Sequence, residues 1–171
     1  MTIWCDSREK PKAITKILDE FDRQGVKWFV SKLPVADYMN MDNPRLVIDR
    51  KQNLNELCNN VIQGHKRFAT ELSNAKDMGI HVVILVEHGK NITCLADVIN
   101  WKNPRLKQSP MAVSGERLFR ILSTMQNNHE KYDVEFQFCD KADTGKRIIE
   151  ILSGEINNAK NETERSETER E

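Results

Sequence analysis

No one sign of charge dominates this sequence. Its 171 residues carry 26 Lys and Arg against 26 Asp and Glu. The bulk electrostatics that advertise a nucleic-acid binder are therefore missing, and any polyanion site has to come from local clustering. A cysteine framework is missing too. The four cysteines, Cys5, Cys58, Cys94 and Cys139, are scattered, with no C-x-x-C pair and no histidine at zinc-ligand spacing, and they read as buried free thiols in a reducing compartment. The longest predominantly apolar stretch, Ile80 to Val86, is too short to span a bilayer, and the first residues carry no signal-peptide pattern. The expectation is a chain with no membrane partner, located in the cytoplasm, or at the nucleoid, or in the nucleus if eukaryotic. There is no solenoid repeat and no linker that would split the chain, whose length suits one domain with a substantial core.

What is present falls into two parts. From Asn158 the sequence turns polar and repetitive (ETERSETERE), with five Glu against one Lys and two Arg. Such a segment has too little apolar surface to bury, so 158–171 is predicted to be a disordered tail. Its net charge of −2 leaves +2 on residues 1–157, which are expected to form a single domain.

Within that domain the hydrophobic periodicity switches repeatedly between strand and helix. Thr2 to Cys5 is a short strand delivering Asp6-Ser7-Arg8-Glu9 at its end. Pro11 suits the first turn of a helix with Ile14, Ile17, Leu18 and Phe21 on one face and a stop near Gly25. Strands are expected over Val26 to Leu33, Ala36 to Met41 and Arg45 to Arg50, the last two forming a hairpin around Asp42-Asn43-Pro44. Asn53 and Glu56 make an Asn-headed relative of the capping box, opening a helix that buries Leu54, Leu57, Cys58, Val61 and Ile62. After Gly64 a second helix, His65 to Met78, follows, and then the strand Ile80 to Val86. A short helix over Leu95 to Trp101 leads into a loop to Gly115. Ser114 caps a helix bearing Leu118, Ile121, Leu122 and Met125, Val134 to Cys139 is a strand, and Thr144 to Ile156 a last helix. The order implies an α/β domain with a mixed sheet flanked by helices on both faces.

The chemistry concentrates between Pro34 and Leu57. The apolar triplet Leu46-Val47-Ile48 runs into Asp49-Arg50-Lys51, a charged cluster that is costly at the end of a buried strand unless solvated, paired or metal-bound. Asp49 and Lys51 are two apart and share a strand face, and the hairpin can bring Asp37 alongside. Two carboxylates and an ammonium at one sheet edge suit a divalent cation and a phosphodiester. Magnesium is commonly held by one or two carboxylates plus phosphate oxygens and water, the ion activates water, and a lysine adds positive charge where negative charge develops. This is the PD-(D/E)xK pattern, although a solvent-exposed ion pair at a strand end would leave the same three letters. Elsewhere, cations in the first turn of a helix (His65, Lys66, Arg67) are unfavourable to the helix dipole and fit either a phosphate partner or a solvated end. Trp101, Lys102, Arg105 and Lys107 fit either stacking and phosphate contacts or an ordinary surface loop with one aromatic tucked beneath it.

In order along the chain these pieces resemble the nuclease domain of the XPF-type structure-specific endonucleases. The family's Asp-x-Arg-Glu is similar to Asp6-Ser7-Arg8-Glu9, its Gly-Asp-Tyr to Ala36-Asp37-Tyr38, and its Glu-Arg-Lys-x-x-x-Asp to Asp49-Arg50-Lys51 with Asn55 in the final place. Gly64-His65 and Leu85-Val86-Glu87 stand where the family has Gly-Arg and Val-Glu. The resemblance runs from about Ile3 to the last helix and implies a single restriction-endonuclease-like domain over 1–157. It implies a magnesium-dependent endodeoxyribonuclease (manganese an alternative ion) acting on branched, flap or junction DNA in repair or recombination. By resemblance Asp6, Asp37, Asp49 and Lys51 form the catalytic set, with Asp37 and Asp49 holding the metal and Asp6 joining directly or through water. Arg8 and Arg50 contact phosphate or hold the carboxylates, with His65, Lys66, Arg67, Lys102, Arg105 and Lys107 as further DNA-binding candidates.

Three departures qualify the resemblance. Asp49 replaces Glu with a shorter arm, Asn55 loses a charge, and Ala36 in place of Gly calls for ordinary backbone angles. The competing readings are a catalytically inactive nuclease fold serving DNA binding or dimerisation, and a nuclease of the wider PD-(D/E)xK group acting on plain duplex. The resemblance also implies pairing, as a homodimer or with a related subunit. Leu118, Phe119, Ile121, Leu122, Met125, Ile148, Ile149, Ile151 and Leu152 on the last two helices are the expected contact, since Phe119 and Ile151 fall off the main apolar stripes.

Overall fold

In the computed structural model, which describes residues 1–88 and 91–154, the expected elements form in the expected order. The tail over 158–171 lies outside the described residues. Strand β1 (Thr2–Asp6) leads to helix α1 (Pro11–Arg23), which starts with Pro at its first position and is followed by Gly25 at φ +67°. Next come β2 (Lys27–Ser31), β3 (Tyr38–Asn40) and β4 (Asn43–Lys51). Helix α2 (Leu54–Ile62) is capped by the Asn53 side chain accepting the Glu56 N–H, and α3 (His65–Asp77) precedes β5 (His81–Glu87). A 3-10 helix spans Leu95–Asn100 and another Pro104–Lys107. Helix α4 (Gly115–Asn127), capped by Ser114, is followed by β6 (Val134–Cys139) and α5 (Thr144–Ser153).

The sheet order is β2-β1-β3-β4-β5-β6. Neighbours run parallel except around β3, which is antiparallel to both β1 and β4. Consequently β1, β4, β5 and β6 all end at one edge, and β3 begins there. Period-2 alternation divides the side chains between two cores. On one face Val47, Val82, Ile84 and Val86 pack under α2, α3 and α4. On the other, Ile3, Cys5, Ile48, Val83 and Leu85 pack under α1 and α5. The domain is α/β with a mixed sheet between two helical layers, and among the described residues no helix is long and apolar enough to cross a membrane.

Several finer expectations change. Ile62 is exposed rather than buried on α2. Cys5 and Cys58 are buried free thiols, but Cys94 is exposed and Cys139 only half-buried. The surplus apolar surface expected on the last two helices is absorbed within the chain's own cores. Ile148, Ile149, Ile151 and Leu152 are buried under one face of the sheet, Leu118, Leu122 and Met125 under the other, and Phe119 and Ile121 lie half-buried against the latter core. A helical wheel cannot anticipate this, because a helix wedged between a sheet and a neighbouring helix buries more than one stripe; α5 packs on α1 as well as on β3 and β4.

The segment between β5 and α4 is fixed by a close backbone approach. A Cβ at Gly115 would sit 2.5 Å from the carbonyl oxygens of both Val98 and Trp101, so the first turn of α4 rests directly on the Leu95–Asn100 helix end. Gly115→Ala is expected to cost about 1–3 kcal/mol through overpacking, lowering the melting temperature by roughly 2–4 °C per kcal/mol; differential scanning calorimetry reads the loss.

Candidate active site

The edge where β1, β4 and β5 end carries a cleft of about 350 Å³ lined by Asp6, Arg8, Glu9, Asp37, Asp49 and Lys51, with Phe68, Glu71 and Leu72 from α3 forming its far wall. Each acidic residue arrives by a different route. Asp6 is the last residue of β1, and its backbone N–H donates to the Asp37 carbonyl at 2.8 Å. Asp37 sits just before β3, tied to β4 by its own N–H on the Ile48 carbonyl at 2.9 Å. Its carboxylate accepts the Arg50 backbone N–H at 2.7 Å. Asp49 and Lys51 share the β4 face that looks toward α3, and the Lys51 ammonium meets Asp49 Oδ1 at 2.8 Å and lies 5.7 Å from the Phe68 ring centroid.

The electrostatics divide these groups. Burial, then the Asp49 charge, then Glu9 push the Asp37 carboxyl up to about 8, against the pull of the Arg50 N–H and Lys51. Burial works against the Lys51 charge, but Asp49 more than offsets it and the ammonium's pKa is raised. The crowded carboxyl of Asp37 thus keeps a proton far more readily than an isolated one would, beside an Asp49–Lys51 ion pair. Among the described residues no three His, Cys, Asp or Glu side chains converge into a ready ligand group; the crowded Asp37–Asp49 pair is the cation-seeking feature, since a divalent ion would relieve its repulsion.

Asp6 is built differently. It is almost wholly buried, with Oδ1 accepting the Leu33 N–H at 2.9 Å and Oδ2 the Arg8 Nε–H at 2.5 Å, while Arg8 also reaches the Leu33 carbonyl at 3.0 Å. Both oxygens are engaged, so Asp6 ties the end of β1 to the loop after β2 and borders the cleft through its remaining lone pairs.

Backbone strain accompanies this geometry. Ala36 has φ +62°, contrary to the ordinary angles expected of an alanine there. The turn that presents Asp37 demands the left-handed region, and the alanine occupies it at a cost of about 1–2 kcal/mol.

Residues 5–150 match the family model described as the ERCC4 domain. The chain belongs to the ERCC4 domain family. Among solved structures this ERCC4 domain is similar to XPF from Aeropyrum pernix, at 18% identity and TM-score 0.61, covering 88% of this chain and 64% of that one. It is similarly close to XPF from Aeropyrum pernix in complex with DNA, at 18% identity and TM-score 0.61, with 92% and 66% covered. At that identity the likeness is one of fold, that of the XPF nuclease domain, and the chain spans less than two thirds of those structures. No curated protein matches the chain.

Arg50 is the main correction within the ERCC4 domain. Expected either to contact phosphate or to hold the carboxylates, it lies on the opposite face of β4 from Asp49 and Lys51, with only 3% of its surface exposed. Its guanidinium pairs with Glu9 at 2.5 Å and with Glu87 at 2.7 Å, and Thr144 at the start of α5 donates its hydroxyl to the same Glu87 at 3.0 Å. Arg50 therefore holds carboxylates at the sheet edge together, with its side chain buried away from the cleft. Sequence reasoning quoted Glu9 and Glu87 as motif letters without giving them a site role, and it passed over Thr144 and the cleft-lining Phe68 and Glu71 as site residues. The alternation of β4 was the available signal for Arg50, because residues 49 and 51 cannot share a face with 50.

The other DNA-binding candidates of the ERCC4 domain scatter. Arg8 borders the cleft. Lys66 and Arg67 are exposed at the start of α3, Arg67 loosely paired with Glu71 at 3.6 Å, and His65 faces a different groove. Lys102, Arg105 and Lys107 line two pockets away from the cleft, where Arg105 donates to Asn59 at 3.2 Å. Trp101 is the tucked aromatic, buried in the core rather than presented for stacking. Asn55 also lines one of those pockets, so its missing charge falls outside the cleft. Its Oδ1 is buried with no hydrogen-bond partner among the described residues.

Ala36→Gly is expected to relieve the left-handed strain, less the extra chain entropy of glycine, a net gain of about 0.5–1 kcal/mol. A higher denaturation midpoint in urea with an unchanged slope is the expected reading; a lower midpoint would mean that the alanine methyl is packed to advantage.

Proposed function

We propose that this ERCC4 domain is a divalent-metal-dependent endodeoxyribonuclease, hydrolysing phosphodiester bonds in branched or flapped DNA. The observation carrying the reading is the Asp37–Asp49 pair with the Lys51 ammonium on Asp49. Asp37 and Asp49 would hold the ion, magnesium in the first place and manganese as a substitute, with DNA phosphate and water completing its shell. The bound ion would supply an activated water and stabilise charge on the reacting phosphate. Lys51, kept protonated by Asp49, serves as a fixed cation that orients the attacking water and meets developing negative charge. Phe68 walls the ammonium from solvent on one side. Asp6 acts by position, securing the Asp37 turn, and joins the metal shell through water. Arg8, on the rim, is placed for an incoming phosphate. The inactive-fold alternative rested on Asn55, which does not line the cleft.

Pairing, as a homodimer or with a related subunit, belongs to the same proposal. A near-neutral domain that holds DNA weakly gains from doubling its phosphate contacts. The two last helices lie on opposite faces of the sheet, so one continuous apolar patch across them is not the contact surface.

The decisive assay incubates the domain with labelled flap, fork, four-way junction and linear duplex, with and without magnesium. Lys51→Ala and Asp49→Asn are each expected to lower the cleavage rate by about 100-fold or more, with metal-free DNA binding within a few-fold of wild type. Substantial magnesium-dependent cutting by either variant removes that residue from the mechanism.

The raised Asp37 carboxyl gives a second check. Its ordinary value is 3.8 and its folded value about 8, so the folded chain binds the extra proton. That stability is fully present below the ordinary value and is lost as pH rises through about 8. The metal-free melting temperature should therefore fall from about pH 4 to about pH 8 and level off above that. Magnesium, competing with that proton, should raise it more at the alkaline end, and Asp37→Asn should flatten both effects. A magnesium shift that is equal at both ends would dissociate the ion from Asp37.

A further inference from the structure

The far side of α3 carries a second concavity of about 340 Å³ that the proposed chemistry does not use. Its lining includes His65 from α3, Arg117 and Arg120 from α4, and Lys131 and Tyr132 from the turn before β6, with no carboxylate among the lining residues. We propose that this groove is a second binding site for the nucleic-acid backbone, engaging phosphates of the same DNA whose scissile bond lies in the acidic cleft. The inference rests on the reading that the domain acts on DNA.

The three cations facing one concavity, Arg117, Arg120 and Lys131, repel each other unless an anion joins them. The Arg117 guanidinium has no hydrogen-bond or ion-pair partner among the described residues. Arg120 is held only by an exposed i,i+4 pair with Glu116 at 2.6 Å, a contact worth a few tenths of a kcal/mol and easily exchanged for phosphate. Lys131 is set 5.2 Å from the Tyr132 ring centroid, and the buried ring holds its stem while the ammonium stays in water. Thr124 and Asn128 add polar groups to the wall. In a chain of zero net charge, a concavity free of acidic lining is the local clustering that polyanion binding requires.

Its position matters as much as its charge. Helix α3 separates groove from cleft, presenting Phe68, Glu71 and Leu72 to the cleft and His65 to the groove. The exposed Lys66 and Arg67 lie on the turn between. A helix is about 10 Å across, which one strand covers in about three phosphates at 3.4 Å each. A backbone crossing the first turn of α3 would meet the cleft at one phosphate and the groove at least about three further on. The basic first turn of α3, unfavourable to its own dipole, lies on that path.

The test is binding of labelled duplex by fluorescence anisotropy, without metal and at several salt concentrations. It compares wild type with R117A/K131A, the charge-preserving R117K/K131R, and K12A/K16A on α1 at the opposite face of the sheet. All the substituted residues are exposed, so melting temperatures should match. R117A/K131A is expected to bind about ten-fold or more weakly, with the salt slope reduced by about two, while R117K/K131R and K12A/K16A stay within about two-fold of wild type. Equal losses in K12A/K16A, or none in R117A/K131A, would overturn the groove. A lower mass of R117A/K131A by light scattering would also overturn it, making the groove a protein contact. Wild type that binds with these signatures but never cuts would refute the nuclease and leave the groove standing. Wild type that cuts while R117A/K131A binds and cuts normally would refute the groove alone.

Discussion

A guanidinium with 1% of its side chain exposed has to be completely paired, and the architecture of the cleft edge follows from that requirement. The desolvation cost of a buried Arg is offset only by good geometry to more than one acceptor. Arg50 finds Glu9 from the loop before α1 and Glu87 from the end of β5, with Thr144 closing the back of Glu87. Three segments distant in sequence are thereby locked to one residue. That residue's own N–H holds the Asp37 carboxylate on the other side of the strand. The backbone of Arg50 serves the cleft while its side chain serves the scaffold. An Asp-Arg-Lys triplet on one strand builds both at once because alternate residues face opposite cores.

The cleft itself is kept in an unfavourable state. Asp37 is crowded by Asp49 and by burial, and it is introduced by an alanine in left-handed backbone. Each of these lowers stability, and both lie within two residues of the same carboxylate. Sites that bind cations commonly accept such tension, because the ion relieves it when it arrives.

Much of the architecture was legible in the sequence because it rests on periodicity and punctuation. Pro11, Gly25, Asn53 and Ser114 marked helix ends where they occur, and the hairpin that brings Asp37 beside Asp49 was written in Asp42-Asn43-Pro44 and the apolar triplet. What was not legible depends on third dimensions of packing. Ile151 looked surplus on a helical wheel yet is covered where α5 meets its neighbours. Ala36 looked relaxed because composition carries no φ. The phosphate-contact alternative for Arg50 came from reading a basic residue beside two acids, when the alternation of its strand already placed it on the other face. Of the basic groove beyond α3 the sequence flagged only the His65 end, since Arg117 and Lys131 are far from it in the chain and meet it only in the fold.

The helix that supplies Thr144 has a consequence for how the chain is made. A nascent chain synthesised only through β5 already contains Asp6, Asp37, Asp49 and Lys51. Yet it lacks α5, whose Ile148, Ile149, Ile151 and Leu152 cover the back of β3 and β4, and it lacks the hydroxyl that fixes Glu87 behind Arg50. The hairpin carrying the carboxylates then has one apolar face uncovered and its central ion pair incompletely braced. Domains fold as units, and here a late helix locks an early sheet edge. The carboxylate hairpin of the cleft is thus braced from behind by a helix far downstream of it in the chain.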